Sequence, residues 1–249
     1  MNPQFRDLSL VPIDPTRVLV IACDSSAGIG EKPLDAVQID PAITAAYSLR
    51  VPLLEQLCFG ARPIAVVDTI GNEMAPTGRR VIHGLKSELT KAGFPDLLLN
   101  GSTEDNMLTQ TTSIGVTVIG QIDQKDIPAT AINGSLIVYQ LGTPYVGEAV
   151  RAHLATIFSY DLVRTIRTNS AVVDMLPVGS KGIANELTQM AATHAAKISA
   201  VVDLADAEFT QSAGPATVLL VAVMADKCES FERQFTDLTE IAQLHQNSD

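Results

Sequence analysis

Every long apolar run in this chain is strand-sized. Arg17–Cys23 (RVLVIAC), Ile64–Asp68 (IAVVD) and Val218–Val223 (VLLVAV) are short, β-branched stretches bounded by polar or glycine-bearing segments, and read as buried strands. None approaches the ~20 apolar residues that a membrane span needs. Segments with helical spacing lie between them. Asp40-Pro41 opens a helix, with Asp40 as N-cap and Pro41 in the first turn. Ile43, Ala46, Tyr47, Leu54, Leu57 and Cys58 share its apolar side, Gly60 ends it, and Pro52 is expected to kink or split it. Arg79–Ala92 is a second helix, with Val81, Ile82, Leu85 and Leu89 inward and Gly93 as its stop. Leu97–Leu99 and Thr112–Ile119 read as strands bracketing a polar loop, Asn100–Gln110.

This alternation predicts a two-domain α/β (α+β) protein. The 249 residues leave room for two domains of ordinary size, and the polar stretch Gln121–Pro128 places the boundary, giving 1–123 and 124–249. The second half restarts with a strand at Leu136–Gln140, followed by a helix capped by Thr143-Pro144 and boxed by Glu148. Then come a helical stretch at Tyr160–Arg167, a loop at Asp174–Gly182, a helix to about Ala195 and strands near Ile198–Val202 and Thr217–Val223. A last helix is expected from Asp226 to about His245.

A net charge of −11 argues against duplex nucleic acid or an anionic membrane as partner, since both need clustered Lys and Arg. It leaves a nucleotide open, because Mg²⁺ brings positive charge and takes carboxylate ligands. Cys23, Cys58 and Cys228 lie far apart with no C-x-x-C pair, so they read as small hydrophobes in a reducing compartment. The N-terminus lacks a signal-peptide pattern, and a cytoplasmic location is expected. His83, His153, His194 and His245 fall on expected helices at no ligand spacing and read as structural. No Walker loop, G-x-G-x-x-G, G-x-S-x-G or H-E-x-x-H is present.

The chemistry-bearing pattern is acids and glycines where strands hand over to loops. Asp24 follows RVLVIAC and opens the loop Asp24–Gly30, Asp68 ends IAVVD, and Ser102, Glu104 and Asp105 follow LLLNG. Such positions gather ligands in α/β proteins, and acids there also serve as ordinary caps and turn formers. Gly28-Ile-Gly30 is either a phosphate loop or a plain turn. Gly179-Ser-Lys-Gly182, entering a helix, is either an anion cradle or a cap with a solvent-facing lysine.

Five segments in order resemble the ATP-binding superfamily of aminoimidazole ribonucleotide synthetase and thiamine-monophosphate kinase. Arg6–Val11 (RDLSLV) resembles its G-D-D-A-A-V stretch, and Val20–Gly30 its strand with T-D-x-x-x-x-G. Leu54–Pro63 (LEQLCFGARP) resembles N-D-I-L-x-x-G-A-x-P, Ala92–Asn106 resembles A-G…G-G-E-T-x-E, and Asp174–Leu187 resembles D-x-S-D-G-L-x-x-D-L. The forms N-G-S-T-E-D-N and P-V-G-S-K-G-I look most like the α-ribazole kinase branch.

The resemblance implies an ATP- and Mg²⁺-dependent kinase acting on a small riboside, the 5′-hydroxyl of α-ribazole in cobamide lower-ligand salvage. Its alternatives are a cyclo-ligase of the aminoimidazole type and an inactive nucleotide-binding homologue. It also implies a homodimer whose N-terminal strands build a shared barrel. Asp7, Asp24, Glu55 and Asp68 then stand as metal ligands, with Glu55 where the family has Asp. Gly28, Gly30, Asn100, Gly101, Ser102, Thr103, Glu104 and Asp105 stand at phosphates or metal, Ser102 replacing an acid. Lys181, in place of an aspartate, would stabilise the transferred group, and Asp174 would orient the acceptor hydroxyl.

Overall fold

The computed structural model describes residues 3–246. They form two compact units, one running to Gln56 and resuming over Ala61–Asp126, the other comprising Leu57–Gly60 and the chain from Ile127 onward. In chain order the first carries β1 (Gln4–Phe5), β2 (Leu8–Pro12), β3 (Arg17–Ala27), the short parallel pair β4 (Ile29–Gly30) and β5 (Val37–Gln38), and α1 (Pro41–Phe59), whose last turn is grouped with the second unit. It continues with β6 (Arg62–Ile70), α2 (Arg79–Lys91), β7 (Leu98–Thr103) and β8 (Ser113–Asp123). The large sheet has the order β1-β2-β3-β8-β6-β7, antiparallel except for the parallel pair β6/β7.

Strict alternation makes this sheet one-sided. Val18, Val20 and Ala22 of β3, with Ile114, Val116, Val118 and Ile122 of β8, are buried, while the residues between them are more open. On the buried face Gln56 of α1 donates through Nε2 to the carbonyls of Val20 (2.7 Å) and Val118 (3.1 Å). Gly120 makes room for it, since a Cβ there would stand 2.2 Å from Gln56 Oε1. α2 buries Val81, Leu85 and Leu89 at helical spacing, and Gly93, with φ +75°, closes it as expected. At Gly84 the helix meets the backbone of Ala42 directly, where an added Cβ would lie 2.1 Å from the carbonyl oxygen.

The second unit carries β9 (Ser135–Gly142), α3 (Glu148–Ala152), α4 (Tyr160–Arg167), β10 (Val172–Pro177), α5 (Ile183–Thr193), β11 (Ala196–Ala200), α6 (Ala207–Thr210), β12 (Val218–Met224), α7 (Cys228–Gln234) and β13 (Leu238–Gln246). Its sheet is wholly antiparallel, in the order β10-β12-β9-β13-β11. Leu136, Val138, Ile183, Leu187, Leu220 and Leu244 are among its core residues. No helix among the described residues is long and apolar enough to cross a membrane.

Four expectations are corrected. Residues 24–27 continue β3 because β8 offers a partner as far as Ala27↔Ser113. Asn100–Thr103 continue β7 because β6 pairs with them in parallel through Ile70↔Thr103. α1 is one element across Pro52. The final helix is replaced by the short α7 and by β13, so His245 lies on a strand opposite Ser135 and Lys197.

Candidate functional site

The register of the first sheet puts two carboxylates on one row. Asp24 of β3 and Asp68 of β6 both stand opposite Val116 of β8, and Asp68 also stands opposite Gly101 of β7. Directly paired residues share a face, here the buried one, and neighbouring strands lie about 4.8 Å apart, so the two Cα atoms are about 10 Å apart. Asp24 therefore sits inside β3 rather than in a loop, and Asp68 within β6, two residues short of its end.

Asp68 is only 3% exposed, and burial pushes its carboxyl above the usual carboxylate range against the pull of its own backbone N–H. Burial likewise raises Asp24, opposed by the Ser25 N–H. No cationic side chain among the described residues offsets either group. A desolvated carboxylate without a counter-charge favours a proton or a bound cation. Gly101 gives Asp68 its space, since a Cβ at that position would stand 2.3 Å from the carboxyl carbon.

Beside Asp68 opens a pocket of about 430 Å³, lined by the β7 stretch Leu99–Thr103 and by Asp68, Met74, Ile82 and Lys86. Its size falls in the ~300–1,000 Å³ range of small-molecule sites. It lies by the C-terminal ends of the parallel pair β6/β7, where backbone groups are left free for a ligand. Asn100, Gly101, Ser102 and Thr103 thus come together with Asp68.

Glu104 and Asp105 close the rim instead of lining the pocket. Asp105 accepts from the Thr103 hydroxyl (2.7 Å) and the Met74 N–H (2.9 Å), and these bonds hold its carboxyl below the usual range. Glu104 Oε1 accepts from the backbone N–H groups of Asn106 (2.8 Å) and Met107 (3.2 Å), shaping the turn after β7.

Other expected residues are placed differently. Gly28 takes a left-handed turn at φ +73° with open space about it, and Gly30 serves packing, since a Cβ there would meet Thr112 Oγ1 at 2.1 Å. That neighbourhood is tied by buried Asp35, which accepts from the backbone N–H and hydroxyl of Thr112 (2.7 Å each). Asp7 is exposed in the turn between β1 and β2, past the same end of the β2/β3 ladder as Asp24.

Glu55 lies on α1 and not on a strand of the row. Its neighbour Gln56 engages Val20, four residues from Asp24, which is about 13 Å along the strand. Among the described residues no three His, Cys, Asp or Glu side chains converge as a metal cage.

In the second unit, Asp174 lies within β10, not in a loop, and is buried against His194. His194 Nδ1–H donates to the Thr130 carbonyl (2.8 Å), leaving Nε2 at 2.9 Å from Asp174 Oδ2, so the carboxylate is committed to holding the histidine. Lys181 is exposed ahead of α5. Gly182 caps that helix with φ +82°, where a Cβ would stand 2.7 Å from the Gln211 carbonyl oxygen.

The sequence reading gave Met74, Ile82 and Lys86 no functional part. Ile82 and Lys86 stand at i and i+4 on α2, a spacing that was visible, but nothing in the sequence showed that this stripe flanks β7.

No curated protein matches the chain. Residues 6–122 match the family described as AIR synthase related protein, N-terminal domain. Among solved structures the chain is similar to thiamine monophosphate kinase from Aquifex aeolicus, at 15% identity over 98% of this chain and 90% of that one, TM-score 0.67. It is similar to AaThiL complexed with AMPPCP and TMP, at 14% identity over 100% and 87% of the two chains, TM-score 0.68. It also resembles E. coli HypE, a hydrogenase maturation protein, at 14% identity over 92% and 80%, TM-score 0.64. Residues 6–122 thus match the AIR synthase related N-terminal domain, and the chain shares the fold of the solved thiamine monophosphate kinase structures.

Proposed function

We propose that the chain is an ATP- and Mg²⁺-dependent phosphotransferase for a small molecule, with the nucleotide held in the pocket beside Asp68. The observation that carries this reading is the row of two uncompensated carboxylates, Asp24 and Asp68, next to a pocket lined by hydroxyls and an outer strand. Mg²⁺ keeps several waters and is commonly held by one or two carboxylates plus phosphate oxygens. Two desolvated acids fit that need, and an all-protein cage is not required. Bound there, the ion would neutralise phosphate charge.

Asp24 and Asp68 would hold the ion, with Asp7 as a further carboxylate of the same set. Ser102 donates from its hydroxyl to a phosphate oxygen, while the Thr103 hydroxyl is held by Asp105. Phosphoryl transfer needs positioning and charge stabilisation more than covalent help, which suits such a set. The relative complexed with AMPPCP and TMP supports a nucleotide here. Lys181, which the resemblance implies at the transferred group, is exposed ahead of α5, and Asp174 holds His194.

The acceptor we propose is the 5′-hydroxyl of α-ribazole, on the N-G-S-T-E-D-N and P-V-G-S-K-G-I resemblance. The family match of residues 6–122 favours a second reading, a cyclo-ligase of the aminoimidazole type. Incubation with Mg–ATP and α-ribazole, read by mass spectrometry, is expected to yield a phosphorylated riboside. ADP released only with a formylglycinamidine-type substrate would replace the kinase by the ligase. Mg–ATP binding with no ADP from either would leave a binding module.

The more open face of the large sheet bears Val11, Leu19, Ile21, Val67 and Ile119, an apolar surface fit to meet a second copy. Sedimentation equilibrium is expected to return twice the chain mass. A single-chain mass at micromolar concentration removes the dimer.

A further inference from the structure

Of the described side chains lining the pocket, Lys86 alone brings a positive charge. Its ammonium forms no ion pair within 4.0 Å among the described residues. Its height in the pocket follows from the helix and strand rises. Gly78, just before α2, is level with Thr103 at the end of β7, because a Cβ on it would stand 3.1 Å from Thr103 Cγ2. Lys86 lies eight residues further along the helix, about 12 Å at 1.5 Å per residue. Leu99 lies four residues back along β7, about 13 Å at 3.3 Å per residue. Lys86 is therefore level with Leu99, and Asp68, opposite Gly101, falls about halfway along the pocket.

This arrangement sets an unneutralised cation roughly 6 to 7 Å, in axial height, from an unneutralised carboxylate. A ligand satisfies both only if it carries negative charge toward Lys86 and a cation toward Asp68. A metal-bound phosphate chain has that polarity, and a lysine side chain is long enough to cover the gap. Ile82 and Leu99 flank the lysine, whose side chain is exposed to solvent and so free to meet a charged ligand.

We propose that Lys86 is a phosphate-binding residue and sets the affinity for the nucleotide's phosphate chain, a role that rests on the nucleotide reading above. It acts on the charged part of the ligand, so a nucleoside without phosphates does not feel it. The test is calorimetry on the full chain with Mg–ATP, Mg–ADP and adenosine, at low and near-physiological salt. Wild type is compared with Lys86→Gln and Lys86→Arg, and thermal melts confirm that each variant is folded.

Lys86→Gln is expected to weaken Mg–ATP by about tenfold, the loss of one charge-assisted contact. It is also expected to flatten the salt dependence and to leave adenosine within about twofold, while Lys86→Arg keeps most of the affinity. Unchanged Mg–ATP affinity and salt dependence in Lys86→Gln overturns the role of Lys86 and leaves the nucleotide site standing. Equal weakening of adenosine and Mg–ATP also overturns it, since the residue would then act on pocket shape. A folded wild type that binds no Mg–ATP removes the nucleotide reading and this inference with it. Should Lys86→Gln not fold, Lys86→Met carries the same comparison.

Discussion

Asp68→Asn is expected to raise the melting temperature of the metal-free protein and to abolish Mg²⁺-dependent turnover. The two effects have one cause. Burial raises the Asp68 carboxyl above its usual range, so the folded protein resists ionising it. Below the unfolded carboxylate value, about 3.9, the group is protonated in both states and costs nothing. As pH climbs from there through the raised folded value, the unfolded chain gives up its proton first and stability is lost. At neutral pH that penalty is in place, and Asn removes it while keeping the shape.

The melting advantage of the variant should therefore grow between pH 4 and pH 7 and shrink for wild type when Mg²⁺ is added. The loss of activity should be at least about a hundredfold, as for other deleted electrostatic groups at reacting centres. Melting curves at the two pH values, with and without Mg²⁺, and ADP release check it. An Asn variant that melts lower than wild type and turns over normally ends the metal assignment.

Gly84→Ala should destabilise the first unit, against the ordinary preference of helices. In an exposed helix interior this change gains about 1 kcal/mol. Here the new methyl carbon would stand 2.1 Å from the Ala42 carbonyl oxygen and 2.7 Å from its carbonyl carbon. Both belong to backbone in the first turn of α1, which has no side-chain rotamer with which to yield. Forcing the helices apart costs about 1–3 kcal/mol net of any gain, as overpacking does elsewhere.

For a chain of this size that lowers the melting temperature by roughly 2–4 °C per kcal/mol. The shift also reaches function, because Ile82 and Lys86 lie two residues either side of Gly84 and line the pocket. Weaker Mg–ATP binding should accompany the lower melting point. A variant that melts higher, as propensity alone predicts, shows that the crossing has slack.

What the sequence made legible was periodicity. β3, β6 and β8 announce themselves as β-branched runs, and α2 by its spaced apolar residues and its closing glycine. Asp24, Asp68 and the Asn100–Thr103 stretch are legible as site candidates, but the loop expected for Asp24 and for Asn100–Thr103 reflects only their polarity. Ser25, Ser26, Asn100 and Ser102 are strand residues because neighbouring strands offer them partners, a long-range fact that local composition does not carry.

The last segment failed for a nameable reason. Between Glu240 and Ala242 the register of β13 shifts, so Ile241 and Ala242 are both buried. The extra residue sets apolar Leu238, Ile241 and Ala242 at i, i+3 and i+4, which is helical spacing. Glu55 was named from the motif resemblance alone, which carries no information on its height along the sheet.

The Gln56 amide has a bearing on inheritance of the site. By bridging carbonyls of β3 and β8 at a position that only glycine at 120 leaves open, it works as a registration pin. Sliding β3 by a single residue would break the bond to Val20 and turn Asp24 to the opposite surface. A distant amide and a missing methyl thereby guard an acid that neither of them touches.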